Sequence, residues 1–246
     1  TTLFYGGFLH FSAADPGSDQ RDRLIVSKGH GGISLYPILA DLGYFRRETL
    51  ETICRTGSIL GSIPDPIVPG IETVNGSLGH GLGVACGIAL GMKRKHLDRR
   101  VYVIVGDGEL HEGACWEALM FAGHHRLDNM TLIVDSNGRC MLNDIEKVMD
   151  PAPLGQKLGA FGWSVAEANG HDIQDVSRAL RTITTAPQPT PSALVATAAA
   201  RFAAPHFGRK RRSTLLIRSR SPALQKPVFS PASCAAPSAV VSTFRG

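Results

Sequence analysis

Apolar, β-branched residues along this chain fall into short runs, separated by stretches of helical character. Val101-Tyr102-Val103-Ile104-Val105 and Thr131-Leu132-Ile133-Val134-Asp135 have the length and composition of buried strands, and the segment from about Glu112 to Arg126 between them reads as a helix. Upstream, helices are expected over Ile33–Leu42, near Arg47–Arg55, and from about Gly79 to His96, with a Gly/Pro-rich loop from Gly57 to Gly70. Downstream, the pattern predicts a helix over Pro153–Phe161, a strand over Trp163–Ala168, a helix over Ile173–Arg181 and a strand over Ser192–Ala196. This alternation indicates an α/β fold: a doubly wound, mainly parallel sheet with helices on both faces.

Two features interrupt the pattern. The third helix carries Gly79, Gly83, Gly87 and Gly91 at four-residue spacing. Each glycine weakens a helix by up to about 1 kcal/mol, which implies either tight packing on the sheet or a helix or ligand seated on that stripe. From Ala198 onward no periodicity survives. Residues 1–197 therefore form the expected domain, and 198–246 read as a basic Ala/Pro/Ser-rich tail, disordered or out of frame.

Charge sharpens that boundary. The net charge is +5, yet no acidic residue follows Asp175, and the last 65 positions hold nine Lys or Arg. Removing those nine from the total of 26 leaves 17 basic against 21 acidic side chains, about −4 over residues 1–181. A mildly acidic body argues against nucleic acid as its partner. Mean hydropathy near zero (+0.01) and the lack of an apolar run long enough to span a bilayer argue against a membrane. The five cysteines (Cys54, Cys86, Cys115, Cys140, Cys234) show no metal-ligand spacing and read as reduced thiols of a cytoplasmic protein. The start, Thr-Thr-Leu-Phe-Tyr, reads as a chain entered partway through a domain, without a signal pattern.

The candidate chemistry lies at the strand ends. Gly106-Asp107-Gly108 follows the first strand, and Asn137 follows the second, thirty positions after Asp107. A strand–helix–strand unit brings both to the carboxyl ends of neighbouring parallel strands, where open α/β sheets bind ligands. One carboxylate and one amide oxygen side by side suit a hard cation such as Mg²⁺ that also holds phosphate oxygens. The glycines admit close approach of a phosphate to the backbone.

Six segments carry a resemblance: Asp22–His30 (DRLIVSKGH), Pro69–Gly83 (PGIETVNGSLGHGLG), Gly106–Gly113 (GDGELHEG), Trp116–Asn129 (WEALMFAGHHRLDN), Ile133–Asn137 (IVDSN) and Phe161–Asp172 (FGWSVAEANGHD). In this order and spacing the chain, from about Phe4 to Leu180, resembles the thiamine-diphosphate-binding N-terminal part of transketolases, and most closely the separately encoded N-terminal subunit of split transketolases. The resemblance implies the thiamine-diphosphate-binding fold with thiamine diphosphate and Mg²⁺ as cofactors. It implies transfer of a two-carbon ketol unit between sugars or sugar phosphates, in a homo- or hetero-oligomer with a C-terminal subunit that carries the pyrimidine-binding domain and its glutamate. Residue by residue, it implies that Asp107, Asn137 and the backbone carbonyl of Arg139 hold Mg²⁺, and that Gly106 and Gly108 lie against the diphosphate. Gly76 and Leu78 would pack on the aminopyrimidine, His30 would contact the cofactor near its thiazolium and diphosphate, and Glu112 would join a carboxylate network across the subunit interface. His30 and Glu112 are thus the implied catalytic pair. His30 as a cap of the following helix and Glu112 as a first-turn glutamate are the plain alternatives. His80, His111, His124 and His125 read as structural.

The chain departs from the family pattern at three places. An upstream Ser-Gly-His-Pro-Gly segment is absent. Ile63, in Gly61-Ser62-Ile63-Pro64-Asp65, stands where the family has a histidine, and an isoleucine donates no hydrogen bond to a sugar. After Ala196, Ala198-Ala199-Ala200-Arg201 replaces a Lys-Gly-Lys-Gly loop. Two alternatives therefore stand beside the main reading. One is a degenerate, non-catalytic relative that at most binds Mg²⁺-thiamine diphosphate. The other is a different thiamine-diphosphate enzyme, a 2-oxo acid dehydrogenase component or a deoxyxylulose-phosphate synthase.

Overall fold

A computed structural model of the chain describes residues 1–185 and 189–198. The tail expected from 198, with the Arg209–Arg212 run and Cys234, lies outside the described residues apart from Ala198 itself. The elements in chain order are α1 (Thr2–Tyr5), β1 (Arg23–Val26), α2 (Leu35–Asp41), α3 (His80–Arg94), β2 (Val101–Gly106), α4 (Gly113–His124), β3 (Met130–Ser136), α5 (Ile145–Val148), α6 (Leu154–Ala160), β4 (Ser164–Asn169), α7 (Ile173–Thr185) and β5 (Ser192–Thr197). The five strands form one parallel sheet in the order β1-β2-β3-β5-β4.

Alternation along the strands builds a core on each face. Val101, Val103 and Val105 of β2, with Leu132 and Val134 of β3, pack against α3, α4 and α6 through Leu82, Ala85, Ala89, Leu119 and Leu158. Tyr102 and Ile104 face the other way, against α1, α2 and α7 through Phe4, Tyr36, Leu39 and Leu180. Burying each of these large side chains contributes about 1.5–3 kcal/mol relative to leaving it exposed. The sheet therefore has helices on both faces, as the pattern predicts.

Three expectations are corrected. Strand β1 is an addition to the predicted elements, since its apolar run is only Leu24-Ile25-Val26. It is fixed by the buried Asp22, which accepts hydrogen bonds from the His10 and Arg100 N–H groups at 2.8 Å each. The segment expected as a helix over Arg47–Arg55 is a 3₁₀ turn over Arg47–Thr52. It fully buries no side chain, its Leu50 packs only partly on the core, and the Thr52 hydroxyl turns back to the Thr49 carbonyl (2.7 Å). The start of the Ile33–Leu42 helix is likewise a 3₁₀ segment, Gly29–Ser34, before α2 begins at Leu35.

The glycine stripe does not serve helix–sheet packing either. A Cβ at Gly83, Gly87 or Gly91 would meet nothing within 4 Å, because Leu82, Ala85, Cys86, Ala89 and Met92 face the sheet instead. The tight contact lies elsewhere: a Cβ on Gly123, near the end of α4, would stand 1.9 Å from the Phe161 carbonyl oxygen. Gly123→Ala must push α4 off that carbonyl and should destabilise the fold by about 1–3 kcal/mol, seen as a lower urea midpoint. An unchanged midpoint would show that α4 and the segment before β4 do not pack as described.

Candidate functional site

The parallel register of β2 and β3 sets Gly106 opposite Asp135, so the chain leaves both strands at the same edge of the sheet. Asp107 follows immediately and is 2% exposed. One carboxylate oxygen accepts the Gly108 N–H (2.9 Å), and the other accepts the Gly138 N–H (2.7 Å) from the turn after β3. The second bond holds the Asn137–Arg139 turn against the aspartate. Asn137 is oriented by its own bonds: its Oδ1 accepts the Arg139 N–H (2.9 Å), and its amide NH₂ donates to Asp135 (3.4 Å). Gly108 is required here, since a Cβ would stand 2.9 Å from that of Cys140 and 3.4 Å from the Arg139 carbonyl oxygen.

A second edge of the site comes from the turns after β1 and before α3. A Cβ on Gly29 would stand 1.9 Å from the Asn75 carbonyl oxygen, so the backbone bearing His30 is pressed against that bearing Gly76. His30 and Gly76 are exposed and Leu78 is half-buried. Gly79 caps α3 in the left-handed region (φ 84°), against the Glu112 side chain. Glu112 is exposed and precedes α4 as its N-cap, not as a first-turn residue, and its side chain makes no capping bond.

Between the two edges sits Glu109, 2% exposed, a residue with no role in the sequence pattern. One of its oxygens accepts the Ser27 hydroxyl (2.5 Å) and the Gly79 N–H (2.8 Å), and the other accepts the Gly106 N–H (3.3 Å). A glutamate two residues past the turn's aspartate carries no pattern that separates it from Glu112. The orphaned Oδ1 of buried Asn75 is equally invisible in the sequence.

The structure thus brings His30, Gly76, Leu78, Gly106, Asp107, Gly108, Glu112, Asn137 and Arg139 to one edge of the sheet. Ile63 belongs there too, its Cγ2 standing 4.0 Å from where a Cβ of Gly76 would be. Three of the remaining histidines make structural contacts: His111 bonds the Met149 carbonyl (2.6 Å), and His125 stacks with Phe121 and His124. Cys86 and Cys115 are buried, which pushes both thiols up to about 12.

Among the described residues no Lys or Arg pairs with Asp107; the nearby Lys28 is engaged by Asp135. Burial holds the Asp107 carboxyl above its ordinary value and the charge of Asp135 adds to this, against the opposing bonds from Gly138 and Gly108. The partners of the Asp107 oxygens and of Asn137 Oδ1 are backbone N–H groups, which neutralise no charge. The donor set is hard oxygen carrying an unbalanced negative charge, which fits a cation of the Mg²⁺ type. The space beside Gly108 is taken by Cys140, whereas a Cβ on Gly76 would meet nothing nearer than Ile63 at 4.0 Å, which leaves the second edge open to a ligand.

A profile described as "Transketolase, thiamine diphosphate binding domain" matches residues 1–213. An apulose-4-phosphate transketolase subunit from Phocaeicola vulgatus is 38% identical over 182 residues, covering 74% of this chain and 65% of that protein. The 6-deoxy-6-sulfo-D-fructose transketolase subunit of a Clostridium species is 41% identical over 177 residues, 72% of this chain and 64% of the other. The chain thus spans just under two thirds of the length of these relatives. The crystal structure of the Campylobacter jejuni transketolase superposes with a TM-score of 0.74 at 30% identity, over 78% of this chain and 31% of that one.

With its native value raised, Asp107 contributes stability that is fully present below about pH 3.8 and is lost as pH rises through the raised native value, so its ionised form costs free energy at neutral pH. A carboxyl-carbon NMR titration should place the Asp107 midpoint above 3.8 in the metal-free chain, and saturating Mg²⁺ should move it down. A midpoint indifferent to Mg²⁺ would remove the cation from this site.

Proposed function

The chain belongs to the transketolase family, through its thiamine-diphosphate-binding domain, and on that premise we propose that it is the cofactor-binding subunit of a split transketolase. It transfers a two-carbon ketol unit between sugars or sugar phosphates, together with a C-terminal subunit that supplies the pyrimidine-binding domain. The observation that carries this reading is the Gly138 N–H bond to Asp107, which joins the two oxygen donors at the ends of β2 and β3.

Thiamine diphosphate, when bound, supplies the carbon that takes up and releases the two-carbon unit, chemistry that no protein side chain offers. The chain's own residues bind and orient it. Asp107, the Asn137 oxygen and the Arg139 carbonyl hold Mg²⁺, whose charge offsets that of the buried carboxylate. Gly106 and Gly108 let the diphosphate approach the backbone, and Gly76 with Leu78 meets the aminopyrimidine. His30, exposed beside Gly76, has a ring nitrogen free to hydrogen-bond the cofactor or the sugar. Glu112, exposed ahead of α4, faces the C-terminal partner, whose carboxylates it joins. The apulose-phosphate and sulfofructose names of the relatives support a ketose donor over the pyruvate of the 2-oxo acid enzymes. The place of action is the cytoplasm; among the described residues no helix is long and apolar enough to cross a membrane. The domain boundary at 197, with a basic tail beyond it, belongs to the same proposal.

A second reading, a relative that binds the cofactor but turns nothing over, is favoured by Ile63, an apolar side chain beside Gly76 where the family has a histidine. The two separate on turnover: with a matching C-terminal subunit, the catalytic reading expects release of an aldose from a ketose donor, and its absence with cofactor bound favours the second. Asp107→Ala should weaken Mg²⁺-dependent thiamine diphosphate binding about a hundredfold by calorimetry, since a lone amide and a carbonyl cannot balance the ion. An unchanged affinity would overturn the metal assignment.

A further inference from the structure

We infer that Glu109 is the positioning residue of this site: its buried carboxylate fixes the spacing between the Asp107 edge and the Gly76–Gly79 edge, so that one ligand spans both. The inference rests on the cofactor reading above. Three observations support it.

First, Glu109 is the side chain that bonds both edges. It accepts Gly79 N–H and Ser27 hydroxyl on one oxygen and Gly106 N–H on the other. At 2% exposure no water replaces these donors, and a buried carboxylate is tolerated only when its oxygens are satisfied.

Second, the two edges are unequally held without it. The Asp107 edge has its own bonds, from Gly108 and Gly138 to the carboxylate and from the Asp107 N–H to the Asp135 carbonyl (3.2 Å). The Gly79 N–H, by contrast, is satisfied by Glu109. The side-chain tie of nearby Asn75 to the sheet is an amide donation to the Val26 carbonyl (3.1 Å), and the Asn75 oxygen has no partner among the described residues. Removing Glu109 therefore leaves the Gly79 N–H without its partner and the Gly76–Gly79 edge tied by Asn75, while the Asp107 edge loses the 3.3 Å bond from Gly106 and keeps its others.

Third, the contact is electrostatically apt. Gly79 is the N-cap of α3, and a carboxylate on its N–H sits at the positive end of that helix.

The consequence is a split between two ligands. Inorganic pyrophosphate with Mg²⁺ needs only the Asp107 edge, whereas thiamine diphosphate needs both. In calorimetric titrations of the chain, Glu109→Ala should weaken thiamine diphosphate binding about tenfold, with pyrophosphate affinity within about twofold of wild type. Glu109→Gln keeps an acceptor for Ser27 and Gly79 while setting an NH₂ against the Gly106 N–H. It should fall between wild type and Glu109→Ala for thiamine diphosphate, at about threefold weaker. A residue that merely supported the fold would lower both affinities together, and that result, or no loss in either, overturns the inference.

If Glu109→Ala does not fold, Ser27→Ala carries the same comparison, removing one donor and leaving the glutamate in place. If the wild-type chain binds neither ligand even with a matching C-terminal subunit present, the cofactor reading falls, and amide hydrogen exchange decides the positioning role by itself. Faster exchange at Gly79 with Gly138 unchanged in the variant sustains the tie between the edges, and equal change at both overturns it.

Discussion

A buried carboxylate with no cation paired to it among the described residues is the constraint around which this molecule is arranged. Asp107 is almost wholly enclosed, its oxygens accept backbone N–H groups, and the nearby Lys28 is engaged by Asp135. Two neutral hydrogen bonds offset only part of what it costs to bury a negative charge. The sheet therefore presents an unbalanced charge at its carboxyl edge, and the turn after β3 is folded back onto that charge. Without the parallel register that puts Gly106 beside Asp135, the second turn would not reach it.

The glycines that matter are those where two backbones meet. Gly29 against Asn75, Gly79 against Glu112 and Gly108 against Cys140 each close a gap that a single methyl group would hold open. The site is accordingly built from main chain and from a few buried acids, and the exposed groups His30 and Glu112 stand at its rim. Ile63 stands at that rim beside Gly76 and takes no part in the bonds that hold the buried acids, so on the proposed reading the residues that would hold a cofactor differ from those that would meet a sugar.

Much of this was legible in the sequence for a simple reason. Strands buried on both faces read as continuous apolar runs, and β2 and β3 are such strands, so the turns that end them could be located and their residues paired. Strand β1 escaped because its burial depends on Asp22 and on neighbours far along the chain. The 3₁₀ turn at Arg47–Thr52 has helical composition, yet it docks on the core through Leu50, a partly buried side chain. The spacing of Gly83, Gly87 and Gly91 suggested close packing, whereas the stripe faces away from the sheet. Glu109 escaped for a different reason: its role is made by three donors from distant segments, and no local pattern encodes such a meeting.

The strand order has a consequence for how the chain acquires this fold during synthesis. β5 is the last strand described, yet it lies inside the sheet and is what joins β4 to the rest. The Thr131–Ser192 contact across β3 and β5 closes a loop of 61 positions. Until residues 192–197 emerge, β3 and β4 each present an open row of backbone donors and acceptors of the kind that recruits other chains. The nascent protein therefore passes through an interval in which the edge beside Asn137 is already made but unprotected. A chain arrested in that interval would be prone to aggregate, with the strand that should protect it not yet synthesised.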